Sequence, residues 1–483
     1  MGSRILVVGL DGLSPLLVER WRGELPTLDR LMRTGVHGRL QSTLPAVTPP
    51  AWTAALTGVN PGRFGFWDFL VRAGHSYTDF RLVHSGDVQS DDVDRLFAAA
   101  GARVLRLSVP VSYPPPHLPG GAAVSCFLAP SPRQRITSPP SLQRELEAAV
   151  GPWILDAAGP NGTDAERQQL LDTIVAMDRQ RFAAARHLLR TREWDLTFMV
   201  VMGTDRIAHY FFRDLDPEHP DFVADSPWRD AVLDRYRDCD RALGELCDAA
   251  GAAVVCVLSD HGTQRIAGKF HLNEWLIKRG DLALTQRPAG RCTPRDGPVD
   301  WTRTRAWASG SGGGIYLNVR GREPDGTIAP DRYDDEIASL TRDLLTLTTP
   351  AGRRLRTEVV ERRHIYDGPA AAQAPDLFVT VEDLRWLVTD QIGHDTPFSE
   401  RDFGRDGACH TPAGFFALAG DGIAPGPPYT HASLYDVAPT LLSLAGLPVP
   451  DEMEGHVLGA PAATALYDPQ AETMSRLRAL YLD

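Results

Sequence analysis

The sequence predicts an α/β fold built on a buried, largely parallel sheet, and two observations carry that prediction. Apolar runs at residues 5–10, 196–202 and 253–258 each stop just before an acid: Asp11, Asp205 and Asp260. Unbroken runs of this length suit strands covered on both faces. After Thr163 and Asp164, residues Leu170, Leu171, Ile174, Val175, Phe182, Leu188 and Leu189 recur at three- and four-residue spacing, the period of an amphipathic helix. In open sheets built from alternating strands and helices, ligands sit outside the carboxyl ends of the strands. Three acids placed just beyond three such strands therefore converge on one crevice.

With 483 residues, 43% of them hydrophobic and 23% charged, the chain is long enough for one large domain with insertions or for two domains. A formal net charge of -12 provides no basic surface for a nucleic-acid backbone and repels anions, so a phosphate site here needs bound cations. The six cysteines form no CxxC pair, which points away from a disulfide framework or thiolate zinc and towards reduced, buried thiols. From Met1 the chain enters an apolar run within a few residues, which leaves no room for a secretory leader, and no stretch is long enough to span a membrane. A cytoplasmic protein with no membrane partner is expected. Tyr113-Pro114-Pro115-Pro116, the glycine-rich 310–314 and the turn-rich 287–298 read as loops, and the aperiodic stretch from about 68 to 160 as an inserted cap over the crevice.

Asp205 and His209 are four residues apart and share one face of a helical turn, where both can ligate one cation. A solvated acid and a surface histidine give the same string. Ser259-Asp260-His261-Gly262 is more telling, because adjacent Asp and His directly after a strand put two ligands at a sheet edge; its plainer reading is a turn with an Asp cap. Asp11, between Gly9-Leu10 and Gly12, is a ligand or a helix cap, and His410 in Cys409-His410-Thr411 is a ligand or a satisfied histidine. Together the four segments supply the carboxylates and imidazoles that two cations about 4 Å apart require.

A hydroxyl nucleophile is offered by Thr48 in Val47-Thr48-Pro49-Pro50-Ala51-Trp52. Its ordinary acidity is far too weak for attack at neutral pH, and coordination to a cation corrects this. Thr48 also suits the start of a helix, where backbone N–H groups would stabilise phosphoryl oxygens.

The set Asp11 in Gly-Leu-Asp-Gly, Thr48 in Thr-Pro-Pro-Ala-Trp followed by Leu-Thr-Gly-Val-Asn-Pro-Gly, Asp205 with His209, Asp260 with His261, and His410, taken in this order, resembles the type I phosphodiesterase and nucleotide pyrophosphatase branch of the alkaline phosphatase superfamily. The tail from Tyr435-Asp436-Val437 through Leu447-Pro448 to Glu454-Gly455 is similar to a closing segment of that superfamily, so the resemblance spans nearly the whole chain. It implies one alkaline-phosphatase-like catalytic domain over residues 1–483, a three-layer α/β/α sandwich with a largely parallel sheet and an inserted cap region. It also implies one zinc held by Asp205, His209 and His410, and a second by Asp11, Asp260 and His261 with Thr48 nearby; the same donors accept manganese. Thr48 would attack phosphorus in line and form a phosphothreonine that water hydrolyses.

The resemblance breaks at two places. Nucleotide pyrophosphatases usually carry Asn-His after the nucleophile where this chain has Ala51-Trp52, and a later Asn is replaced within Phe66-Trp67-Asp68-Phe69. A closer likeness is to phosphohydrolase and phosphomutase-like members that share Pro-Ala-Trp-Thr, Tyr-Pro-Pro and Asn-Glu-Trp-Leu strings, whereas Thr48-Pro49-Pro50-Ala51 lacks the Cys or Ser motif of sulfatases. The expected activity is hydrolysis of a small phosphodiester or pyrophosphate, with phosphomonoesterase or phosphomutase chemistry as the alternative and an inactive metal-stabilised binding protein behind both. Trp52 and Trp67, with Phe64, Phe66 and Phe69, are candidates for stacking on the substrate, or are core. Lys269, His271 and Arg265 are candidates for meeting its phosphate.

Overall fold

The computed structural model describes residues 3–459 apart from Asp402 and Arg405. Met1 and Gly2, on which the expectation of no leader rests, and residues 460–483, the end of the expected single catalytic domain, lie outside the described residues. The chain divides into two compact units. One takes in the residues up to Val59 with Val83–Ile266 and Gly404–Gly459, and the other Asn60–Leu82 with Ala267–Phe403.

The first unit is built on nine strands: β1 (Ile5–Leu10), β2 (Val36–Gln41), β3 (Val104–Leu107), β4 (Ala122–Val124), β5 (Thr137–Ser138), β6 (Leu196–Val201), β7 (Val254–Leu258), β8 (Ala413–Ala419) and β9 (Tyr429–Ser433). They lie in the order β9-β2-β8-β7-β1-β6-β3-β4-β5. The central strands β7, β1, β6, β3 and β4 run parallel, while β8 and β5 are antiparallel to their neighbours. This is the largely parallel sheet that the unbroken apolar runs predict, and β1, β6 and β7 are buried at every position. Gly9 pairs with both Val200 and Leu258, so the three predicted strands end at one level.

The helices that matter here are α1 (Thr48–Thr57), α2 (Asp164–Thr191), α3 (Gly203–Leu215), α4 (Ala231–Ala250) and α5 (Val437–Ala445). Helix α2 starts where the sequence places it, with a reciprocal cap in which Thr163 Oγ1 accepts from Glu166 N and Glu166 Oε2 accepts from Thr163 N. Helices α2, α3 and α4 pack on one another, and α1 packs on α5, so that helices layer the sheet as an α/β/α sandwich. The closing segment braces α1: Asp436 accepts the N–H groups of Ser433 and His456, each at 2.7 Å, and Glu454 N–H donates to Gly58 O at 2.8 Å.

The stretch at about 68–160, expected as one cap, is divided. Its residues up to Leu82 belong to the second unit, and the rest contributes β3, β4 and β5 to the first sheet. These strands have four, three and two residues, too short for any period to show in sequence. Among the described residues no helix is long and apolar enough to cross a membrane.

The second unit has its own sheet, which pairs Ala306–Ala308, Gly314–Leu317, Leu377–Val381, Trp386–Thr389, Gly268–His271 and Phe398–Ser399 in that order, with Thr357–Glu361 also on Leu377–Val381. Its core gathers Phe270, Leu276, Trp307, Leu317, Leu340 and Trp386. Within it the glycine-rich 310–314 turn is held by acids: Asp390 Oδ2 accepts from Gly310 N and Asp68 Oδ2 from Ser311 N, each at 2.8 Å.

In the first unit Gly9 is required by space, because a Cβ there would stand 2.3 Å from the ring of Trp52. Gly9→Ala is expected to cost about 1–3 kcal/mol through overpacking, read as a lower urea midpoint with unchanged slope.

Candidate active site

Local folding delivers the acids to one place. Leaving β1, Asp11 donates its N–H to Val201 O of β6 at 3.0 Å, and the next two N–H groups turn towards β7, Gly12 to Asp260 Oδ1 at 3.2 Å and Leu13 to Ser259 Oγ at 2.9 Å. Gly12 makes that turn with φ +67°, a conformation that favours glycine. After β6, helix α3 begins with Gly203 N–H on Asp178 Oδ1 at 3.1 Å and Thr204 Oγ1 donating to Asp11 O at 2.6 Å, so Asp205 falls in its first turn and His209 one turn on. His410 comes from Ala408–Thr411, which pairs antiparallel with Gly262–Arg265 directly after the Asp260-His261 dipeptide.

The six predicted ligand residues therefore come together. His209 Nε2 stands 3.3 Å from Asp205 Oδ1 and 3.3 Å from His410 Nε2, and His410 Nε2 is 3.7 Å from the same Asp205 oxygen. His261 Nε2 is 3.2 Å from Asp260 Oδ2 and 3.8 Å from Asp11 Oδ1. The rings of His261 and His410 stack with centroids 3.5 Å apart. The first trio forms a group able to hold a metal ion, and Asp11, Asp205 and His261 form another, so Asp205 belongs to both.

Four of these side chains, Asp11, Asp205, Asp260 and His261, are tied at one end and bare at the other. Asp11 Oδ2 accepts from Trp52 Nε1 at 2.7 Å, Asp205 Oδ2 from Arg206 Nη1 at 2.8 Å, and Asp260 Oδ1 from Gly12 N. His410 Nδ1 donates to Ala46 O at 2.8 Å, His261 Nδ1 to Gly262 O at 3.2 Å, and His209 Nδ1 faces Asp406 Oδ1 at 3.9 Å. The opposite atoms Asp11 Oδ1, Asp205 Oδ1, Asp260 Oδ2 and His261 Nε2 are buried without any hydrogen-bond partner. A buried polar atom left bare costs about 1–3 kcal/mol, so four in one place point to a ligand that the chain is built to receive. Carbonyl partners on Nδ1 fix that proton and leave the Nε2 lone pair for a cation. The separations of 3.2–3.8 Å fit the edges of a coordination shell, since atoms about 2.0–2.1 Å from a tetrahedral zinc lie about 3.3 Å apart.

The electrostatics agree. Burial, reinforced by the Asp205 charge, pushes the Asp11 carboxyl up to about 8. Burial, reinforced by Asp11, drives Asp260 well above the carboxylate range. For Asp205 burial is outweighed by His209 and Arg206, which hold it below that range; for His209 burial is outweighed by Asp205, which holds it above the usual imidazole value. Burial lowers His261 and His410. Divalent cations reverse the field that makes the acids hold protons.

Thr48 is buried in the first turn of α1, on the segment whose Ala46 carbonyl anchors His410 and whose Trp52 indole anchors Asp11. The N–H groups expected there are mostly missing: Pro49 and Pro50 have none and Ala51 N–H donates to Val47 O, which leaves Thr48's own. Negative charge at this helix start must be met by other means.

Trp52 has no ring face open for stacking, because it is fully buried between Gly9 and Phe198 and its N–H is committed to Asp11. Trp67, Lys269 and His271 lie in the second unit. There Trp67 Nε1 donates to Tyr316 Oη at 3.3 Å and Lys269 Nζ to Phe403 O at 2.8 Å, while both His271 ring nitrogens meet hydroxyls, Thr389 and Ser399, at 2.9 Å. Phe64 and Phe66 are core, and Arg265 pairs with Asp216 and Glu218. No motif in the sequence marks Asp178 or the Ala46 carbonyl, and Arg206 stands outside the predicted ligand set. Arg206 alone had a signal, a charge directly beside a predicted ligand.

The sequence model described as type I phosphodiesterase / nucleotide pyrophosphatase matches residues 5–409. Among solved structures, phosphonoacetate hydrolase from Sinorhizobium meliloti 1021, in complex with phosphonoformate, aligns at 17% identity and TM-score 0.58 over 92% of this chain and 96% of its own. Its complex with phosphonoacetate aligns at 17% identity and TM-score 0.55 over the same shares. Murine ectonucleotide pyrophosphatase / phosphodiesterase 5 aligns at 13% identity and TM-score 0.48, over 92% of this chain and 96% of that one. No curated protein sequence matches the chain.

Without metal, Asp11 holds its proton in the folded chain up to about pH 8, against an ordinary value of 3.8. The stability this contributes is full below the ordinary value and is lost as pH rises through about 8. Chelator-treated protein is expected to lose melting temperature between about pH 5 and about pH 8, while the gain on adding zinc grows over the same window. A gain that is flat with pH would refute the assignment.

Proposed function

This chain belongs to the type I phosphodiesterase / nucleotide pyrophosphatase family, and from that premise we propose that it hydrolyses small phosphodiester or pyrophosphate substrates through a phosphorylated Thr48, with two divalent cations. The observation that carries the reading is the inward set of bare atoms on Asp11, Asp205, Asp260 and His261, each tied at its far end. Asp205, His209 and His410 would hold one cation, and Asp11, Asp260 and His261 the other. Zinc suits these donors, and manganese is accepted by the same set. When bound, such a pair supplies Lewis acidity that favours the Thr48 alkoxide and neutralises charge developing on phosphorus oxygens.

The chain's own part is positioning. Helix α1 carries Thr48 in a turn whose ends are pinned to both ligand groups, through Ala46 to His410 and through Trp52 to Asp11. Thr48 Oγ attacks phosphorus, the bond to the leaving oxygen breaks, and the leaving group takes a proton. Water then attacks the phosphothreonine from the vacated side, Thr48 regains its proton, and the phosphate product departs. Because Pro49 and Pro50 offer no N–H, the electrostatic share that a helix start would otherwise provide would fall to cations held by the six ligand residues.

Thr48→Ala is expected to lower turnover of an aryl phosphodiester by roughly three orders of magnitude or more while two equivalents of metal stay bound, and Thr48→Ser to retain activity. Unchanged turnover in the alanine variant would remove Thr48 from the reaction. The kcat/KM of an aryl diester over its monoester is expected to exceed one; a ratio below one would transfer the site to monoester chemistry.

A further inference from the structure

The geometry points to Arg206 as a positioning residue that, braced by Asp156, decides which oxygen of Asp205 is offered to the cation shared with His209 and His410; the inference rests on the two-cation reading above. The Arg206 side chain is largely covered and uses its planar fork in two directions. Nε and Nη2 grip the two oxygens of Asp156 at 2.9 and 3.1 Å, and Nη1 donates to Asp205 Oδ2 at 2.8 Å. The guanidinium also lies over Phe127, 5.2 Å from its ring centroid. Residues 127, 156 and 206 come from separate stretches of the first unit, so the fold itself sets this clamp.

Asp205 would share one cation with His209 and His410, and its Oδ1 is the bare atom. A carboxylate free to rotate about its last bond could give both oxygens to one cation. With Oδ2 held by Arg206, Asp205 presents only Oδ1, the atom 3.3 Å from His209 Nε2 and 3.7 Å from His410 Nε2. The bidentate grip on Asp156 keeps the guanidinium from following Asp205 if that side chain turns. Orientation and charge here act in opposite directions: a fixed cation beside a ligand carboxylate repels the metal, whereas a fixed ligand geometry favours it. The sign of a substitution therefore separates the two roles.

Zinc titration with a competing chelating dye, on the full chain, tests this without reference to turnover. Outer partners of metal ligands typically account for about 10–100-fold in affinity, so Arg206→Met is expected to weaken zinc binding by about that factor. Arg206→Lys keeps the charge and loses the fork, and is expected to fall in the same range. Asp156→Asn removes the brace alone and should shift affinity in the same direction by less, which keeps the test open if the Arg206 variants fold poorly by circular dichroism. Affinities within about 2-fold of the unsubstituted chain, or tighter binding in Arg206→Met, would overturn the positioning role, as would full rescue by lysine. An unsubstituted chain that takes up no zinc would instead overturn the two-cation reading itself.

Discussion

Three carboxylates buried at the ends of adjoining strands repel one another, and the site's organisation follows from containing that repulsion. Asp11, Asp205 and Asp260 are each almost fully covered, and among the described residues Arg206, at the edge of the set, is the arginine that donates to one of them, Asp205. Left to themselves two of the three hold protons, as burial and mutual charge require. The chain accepts this strain because each acid has one oxygen committed to a donor that belongs to the fold: an indole, a guanidinium and a backbone amide. Those donors hold the acids in place whether or not their other oxygens are satisfied. The arrangement thus suits a positive charge brought in from outside, such as the proposed cations.

The same constraint explains which neighbours matter. Gly9 has no side chain because the Trp52 ring lies over it, and Trp52 is there because Asp11 needs a donor from the side away from the crevice. Ala46 matters only for its carbonyl, which fixes the proton of His410. The segment from Ala46 to Trp52 thereby contacts both His410 and Asp11 and carries Thr48, the proposed nucleophile, between those two anchors.

Much of this was legible in the residues. The runs before Asp11, Asp205 and Asp260 are continuous and apolar, and only strands covered on both faces tolerate that; the register of β1 with β6 and β7 then brings their ends level. Asp205 and His209 could be paired because one helical turn separates them. Other parts were hidden for definite reasons. Trp52 reads as a stacking ring from its composition, and only the packing against Gly9 reveals a buried donor. Lys269 and His271 follow the Asp260-His261 pair closely in sequence, but the chain passes into the second unit at Ala267 and their polar atoms are used there. Asp156 lies in an aperiodic stretch where nothing marks one acid among several. The missing N–H groups at Pro49 and Pro50, by contrast, were visible in the letters alone.

The shared register of the central strands has a consequence for how such a site can change over time. Neighbouring parallel strands lie about 4.8 Å apart, a distance imposed by backbone hydrogen bonding and indifferent to side chains. Acids leaving β7, β1 and β6 at one level inherit that spacing as a ruler, close to the separation that a pair of cations sharing one phosphorus centre needs. Loops beyond the strand ends can then be exchanged while the spacing of the three acids is carried unchanged by the sheet.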